Sequence, residues 1–182
     1  MTNTADPELH VRLATSEDAP RVLAVMDGIM DWLIGLGRVA QWGTESWSTN
    51  PALVERIRSR IDRAELRVAV TATDEIAGVL SVSETGAADY FPPAGEPELF
   101  INLLATSRAF KGRDVGGFLI AEAVAEAHRR GLGLVRVDCF AGDDGRLKAW
   151  YATQGFVEVE PFVVPREGRP DWPGMLFAMR LK

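Results

Sequence analysis

A chain of 182 residues, 47% of them hydrophobic, suits one globular domain that buries its own core without metal or disulfide support. The formal net charge of −6 leaves no long basic face for a nucleic acid, and a single cysteine, Cys139, excludes an internal disulfide and a cysteine metal cluster. The N-terminal MTNTADPELH lacks the basic start and apolar run of a signal peptide, and no run of about 20 apolar residues follows, so the expectation is a cytoplasmic protein without a membrane partner.

In chain order, residues 1–8 read as a mobile tail and 9–13 as a half-buried strand. Thr15 and Asp18 are spaced like a capping box, ahead of a helix whose core stripe is Val22, Val25, Met26, Ile29, Met30 and Leu33 and whose stop is Gly35 and Gly37. Gln41, Trp42, Gly43 and Trp47 follow in a loop, where each indole either packs beneath the chain or lines a pocket. Pro51 opens a second helix, with Leu53, Val54, Ile57 and Ile61 inward and Arg56, Arg58, Arg60 and Arg63 on a solvated face. Residues 66–72 and 76–83 read as hairpin strands. Residues 86–97, with Tyr90 and Phe91, form either a lid or a plain connection.

The most informative run is 99–117, LFINLLATSRAFKGRDVGG, in which an apolar strand feeds a basic, glycine-broken turn that opens a helix. Phe118, Leu119, Ala123, Val124 and Ala127 recur at helical spacing, and Arg129, Arg130 and Gly131 end the helix. A helix start leaves about four amides unpaired and carries about half a positive charge, so the turn is either an anion seat or only a tight connection. Neither GxxxxGK[ST] in the chain nor GxGxxG in the turn is present. Beyond it, 134–140 is a strand containing Cys139 as a core residue, and Asp143 or Asp144 caps a short helix bearing Leu147, Trp150 and Tyr151. Residues 156–164 and 175–181 are final strands flanking a polar loop at 165–173, and His10 and His128 read as exposed. The total is an α/β layer design with a mostly antiparallel sheet.

Lys111-x-x-Asp114-x-Gly116 resembles the acetyl-CoA loop of the GNAT N-acetyltransferase superfamily, [QR]-x-x-G-x-[GA], with Lys111 in the place of Gln or Arg and Asp114 in that of the first glycine. The run from Asp138 through Asp144, followed by Leu147, Trp150, Tyr151, Gly155 and Phe156, is similar to the family's later strand, helix and Y-x-x-x-G-F segment. The resemblance spans roughly 11–181 and implies the GNAT fold, a mixed, mostly antiparallel sheet of about seven strands flanked by about four helices. It also implies direct acetyl transfer from acetyl-CoA to a primary amine of a small molecule or peptide, with no metal.

By that resemblance the main chain of Leu103, Leu104, Ala105 and Thr106 pairs with the pantetheine arm. Lys111, Gly112, Arg113, Asp114, Val115, Gly116 and Gly117 meet the pyrophosphate, and Asp143 is a further cofactor-side residue. The Asp114 carboxylate opposes that anion unless it caps the helix at Gly116 or Gly117 or is neutralised by Lys111 and Arg113. Tyr151 is the expected proton donor and Glu98 the leading base, with Asn102 or a bound water as substitutes. Gln41, Trp42 and Asn102 are the acceptor-side candidates. A non-catalytic CoA-binding or sensor module is the alternative, a longer acyl donor stays open, and so does a homodimer through the final strands. No charge pattern selects the acceptor.

Overall fold

The computed structural model describes residues 8–86, 89–142 and 144–182, so nearly all of the expected tail, and Asp143, lie outside the described residues. Strands β1 (His10–Leu13), β2 (Leu66–Val70), β3 (Ile76–Ser83), β4 (Leu99–Thr106), β5 (Leu134–Phe140), β6 (Val157–Val164) and β7 (Trp172–Arg180) form one open sheet in the order β1-β2-β3-β4-β5-β7-β6. Helices α1 (Ala19–Gly35), α2 (Pro51–Asp62), α3 (Val115–Arg129) and α4 (Arg146–Thr153) complete the α/β architecture among the described residues. β4 and β5 pair in parallel, whereas β1–β2, β2–β3, β5–β7 and β6–β7 are antiparallel. A parallel step needs a long crossover, and α3 supplies it.

Two compact units make up the chain: Met1–Asp31, Glu45–Ser81 and Leu103–Leu119 form the first, and Trp32–Thr44, Val82–Asn102 and Ile120–Lys182 the second.

In the first unit the capping box is present. Asp18 accepts from the Thr15 amide at 2.8 Å and launches a 3-10 turn that runs into α1. Asp18 is buried, and Arg12 grips both its oxygens at 2.7 and 2.9 Å while Arg21 adds a bond at 3.0 Å. Both arginines also reach Asp74 in the β2–β3 turn, which staples β1, α1 and the hairpin together. The Arg12 guanidinium holds the Asp18 carboxyl down at about 2. Val22, Met26, Ile29 and Met30 are buried as expected, with Leu23 beside them and Val25 only half-buried. Asn50 caps α2, accepting from the Ala52 and Leu53 amides. One expectation changes here: Arg60 is not part of a solvated face, because it donates to the buried Ser81 hydroxyl at 2.8 Å. Of the two readings open for Trp47, the structure takes packing, with the indole buried beneath its loop.

In the second unit Phe91, Phe100, Phe162 and Leu176 form a core cluster, with Val164 and Trp172 packed against it. Phe91 stacks on Phe100 at 5.6 Å, and Arg136 lies over the Phe91 ring and donates to the Pro92 carbonyl at 3.1 Å. The described part of 86–97 is therefore a pinned connection; Ala87 and Ala88 lie outside the described residues. β7 starts at Trp172 rather than at 175, because Pro173, which has no N–H to give, uses its carbonyl to accept from the Ala141 amide at 2.9 Å. Cys139 is buried in β5, and burial pushes its thiol up to about 12.

Candidate functional site

The first unit carries the glycine turn. The parallel β4–β5 register covers only Leu99–Ile101 against Val135–Val137, so Leu103, Leu104, Ala105 and Thr106 lie beyond it. β4 then runs through a 3-10 turn, Arg108–Phe110, into Lys111, Gly112, Arg113 and Asp114, all four exposed. The close seat of α3 depends on Gly78 in β3. A Cβ there would stand 2.8 Å from both Val115 Cγ1 and Leu119 Cδ1, and 3.2 Å from the Ala105 carbonyl oxygen. Sequence reasoning passed over Gly78, although a glycine inside an apolar strand is the usual sign of such an approach.

The turn makes its bend with two left-handed residues, Gly112 at φ +83° and Asp114 at φ +49°. Aspartate is among the few side chains that tolerate this region, and the backbone there explains why glycine suits the position better. The Asp114 carbonyl accepts the first helical bond, from the Phe118 amide at 3.0 Å. The amides of Val115, Gly116 and Gly117 precede that bond and have no intrahelical acceptor. The Asp114 carboxylate leans over Gly117, with Oδ2 2.6 Å from where a Cβ would stand, so a side chain at 117 would push the carboxylate aside. Among the described residues it makes no hydrogen bond to the Gly116 or Gly117 amide and no ion pair with Lys111 or Arg113. The amides are therefore left available, and the negative charge beside them is not offset by either expected route.

The second unit carries the candidate chemical and acceptor groups. Gly145, φ +69°, is the N-cap of α4, with Asp144 accepting from the Arg146 amide at 3.1 Å and paired to Arg38 at 2.7 Å. This places Tyr151 inward at 4% exposure, its ring 4.9 Å from Trp150, 5.8 Å from Phe156 and 5.6 Å from Phe177. Burial, with Cys139 and the Asp138 carboxylate nearby, pushes the phenol well above its ordinary range, so it keeps its proton at neutral pH.

Glu98 does not fit the expected base. It is buried, and Arg136 donates to both its oxygens, through Nε to Oε2 and through Nη2 to Oε1 at 2.7 Å. A carboxylate held this way by a buried cation is a structural ion pair, with both oxygens occupied by the guanidinium.

Asn102 is better presented. The Ser83 hydroxyl gives its one proton to the Thr85 carbonyl at 2.8 Å, so it must accept from Asn102, whose Nδ2 lies 2.7 Å away and also reaches the Phe100 carbonyl. The amide orientation is thereby fixed, and Oδ1 is left to accept a further N–H. Gln41 and Trp42 are half-buried in their loop. That loop is fixed by residues the sequence reading did not single out. Arg166 Nη2 and Trp172 Nε1 both donate to the Gln41 carbonyl at 2.9 Å, across sequence separations of 125 and 131, which no local pattern reports. His10 and His128 are exposed.

A strand, a left-handed glycine turn and a helix start with free amides thus lie in a mixed sheet of this strand order. Residues 28–156 match the acetyltransferase (GNAT) family, and the chain belongs to it. Solved structures agree on the fold. A GNAT-family acetyltransferase from Listeria monocytogenes is 22% identical, with a TM-score of 0.73 over 97% of each chain. The ribosomal-protein-alanine N-acetyltransferase from Brucella melitensis is 20% identical, with a TM-score of 0.65 over 94% of this chain and 99% of that one. The yncA protein of Salmonella typhimurium, in a structure with its cofactor acetyl-CoA, is 13% identical, with a TM-score of 0.66 over 96% and 95%. No curated protein matches the chain significantly. Among the described residues no helix is long and apolar enough to cross a membrane, and no group of His, Cys, Asp and Glu is arranged to hold a metal.

Proposed function

We propose that this chain is an N-acetyltransferase that moves an acetyl group from acetyl-CoA directly to a primary amine of a small molecule or peptide, the whole chain acting as one domain. The observation that carries the reading is the set of free amides at Val115, Gly116 and Gly117 beside Lys111, in a member of the GNAT family. Such amides, with Lys111 and Arg113 adding positive charge, suit a diphosphate. The Asp114 carboxylate weakens that fit without blocking it.

In the reaction the amine lone pair forms the C–N bond to the acyl carbon while the C–S bond breaks. A lysine-like ammonium, with a pKa near 10, must first lose a proton, and the departing thiolate gains from receiving one. Tyr151, with its proton held by burial, is the donor to the thiolate. Asn102 Oδ1 accepts from the amine N–H and orients its lone pair, and a water takes the ammonium proton, since Glu98 is committed to Arg136.

The uncompensated Asp114 favours a second reading, a CoA-binding module without turnover. Incubation with acetyl-CoA and a panel of amines, followed by release of free thiol, separates the two. Thiol release dependent on amine is expected; CoA binding by calorimetry with no thiol release from any amine would favour the module.

A further inference from the structure

The β6–β7 connection, residues 165–171, is fastened to the loop at 40–43 of the same unit by cations. Arg166 donates from Nη1 to the Ala40 carbonyl and from Nη2 to the Gln41 carbonyl, each at 2.9 Å. Arg169 Nη1 lies 3.1 Å from where a Cβ of Gly43 would stand, and Gly43 is left-handed at φ +85°. The second guanidinium thus lies close over a glycine, where a Cβ would make it shift.

Neither arginine meets a carboxylate side chain among the described residues, in contrast to Arg12, Arg38, Arg136 and Arg180, which all do. The acids of the same connection do not supply one. Asp171 accepts weakly, at 3.4 Å, from the Arg166 backbone amide, and Glu167 is exposed. Burial and the neighbouring charge of Arg169 both disfavour the charged form of Arg166, so the pair is held together against its own repulsion. Arg166 spends two of its five N–H donors on neutral carbonyls and keeps three, and a guanidinium fork matches a carboxylate in shape as well as charge. In a chain of net charge −6, an unneutralised pair of arginines facing the candidate acceptor loop calls for an anion from outside.

Resting on the N-acetyltransferase reading above, we propose that Arg166 and Arg169 recognise a carboxylate carried by the acceptor, so that the substrate is a small amino-acid-like amine. A polyamine or a lysine-rich peptide meets repulsion at the same place.

The test compares each proteinogenic L-amino acid with the amine left when its carboxyl group is removed, reading kcat/KM from thiol release. The best amino acid is expected to exceed its decarboxylated partner by about tenfold or more. Arg169→Ala, a change at an exposed residue, is expected to erase that preference through KM, with kcat and CoA affinity kept and with partial rescue by Arg169→Lys. Equal kcat/KM within every pair, or an unaltered KM in Arg169→Ala, overturns the proposal while leaving the acetyltransferase reading intact. Absence of thiol release from every amine overturns the acetyltransferase reading instead. Calorimetry of the amino acids with the CoA-loaded protein then decides for the arginines: binding that weakens about tenfold in Arg169→Ala upholds their role, and no amino-acid binding ends it.

Discussion

The glycine turn in the first unit and the Tyr151 region in the second are built on opposite principles. In the turn, the groups offered to a ligand are main-chain amides, and side chains matter mainly by being absent, at Gly112, or tolerated, at Asp114. Around Tyr151 and Asn102 the offered groups are side chains, and they and the Gln41 loop are held in part by partners far away in sequence, Phe177, Ser83 and Arg166. Backbone recognition is written in a few consecutive residues, whereas side-chain recognition is written across the whole chain.

Four substitutions break or sharpen that contrast, and the largest effect belongs to the second unit. Glu98→Gln leaves Arg136 buried without its counter-charge and should cost about 3–5 kcal/mol in urea unfolding, with the pH–rate profile unchanged in shape. Normal stability with a lost limb of the profile would restore Glu98 as base. Tyr151→Phe keeps the three ring contacts and removes one hydroxyl, and kcat should fall about 100-fold while CoA affinity holds. An unaltered kcat assigns the residue to packing alone.

In the first unit the effects are smaller. The folded Asp18 carboxyl sits at about 2, below its ordinary 3.8, so its contribution is complete above about pH 4 and is lost as pH falls through about 2. Asp18→Asn should therefore destabilise by about 2 kcal/mol at neutral pH and by little near pH 2, measured by unfolding at both. Asp114→Gly removes a negative charge from the helix start and a strained left-handed side chain, so CoA should bind about threefold to tenfold more tightly. Weaker binding in calorimetry would mean that the carboxylate supports the turn after all.

The same division explains what was legible. Alternation and apolar runs gave the strands, the Thr15 and Asp18 spacing gave the first helix start, and the turn announced itself because its donors are contiguous. Glu98 beside an apolar strand reads as solvated or reactive until Arg136, 38 positions on, is brought against it. Arg60 reads as surface for the same reason, since Ser81 is 21 positions away. Pro173 hid the start of β7, because a proline argues against a strand unless its carbonyl alone is used. Nothing local ties Arg166 or Trp172 to Gln41.

Cys139 lends the protein an internal gauge. A thiol sealed in β5 and reluctant to ionise reacts slowly with disulfide reagents, whereas CoA set free in solution reacts at once. In a coloured thiol assay the folded chain is therefore nearly silent, and since the sequence holds one cysteine, a background approaching one equivalent per chain reports lost structure and not catalysis.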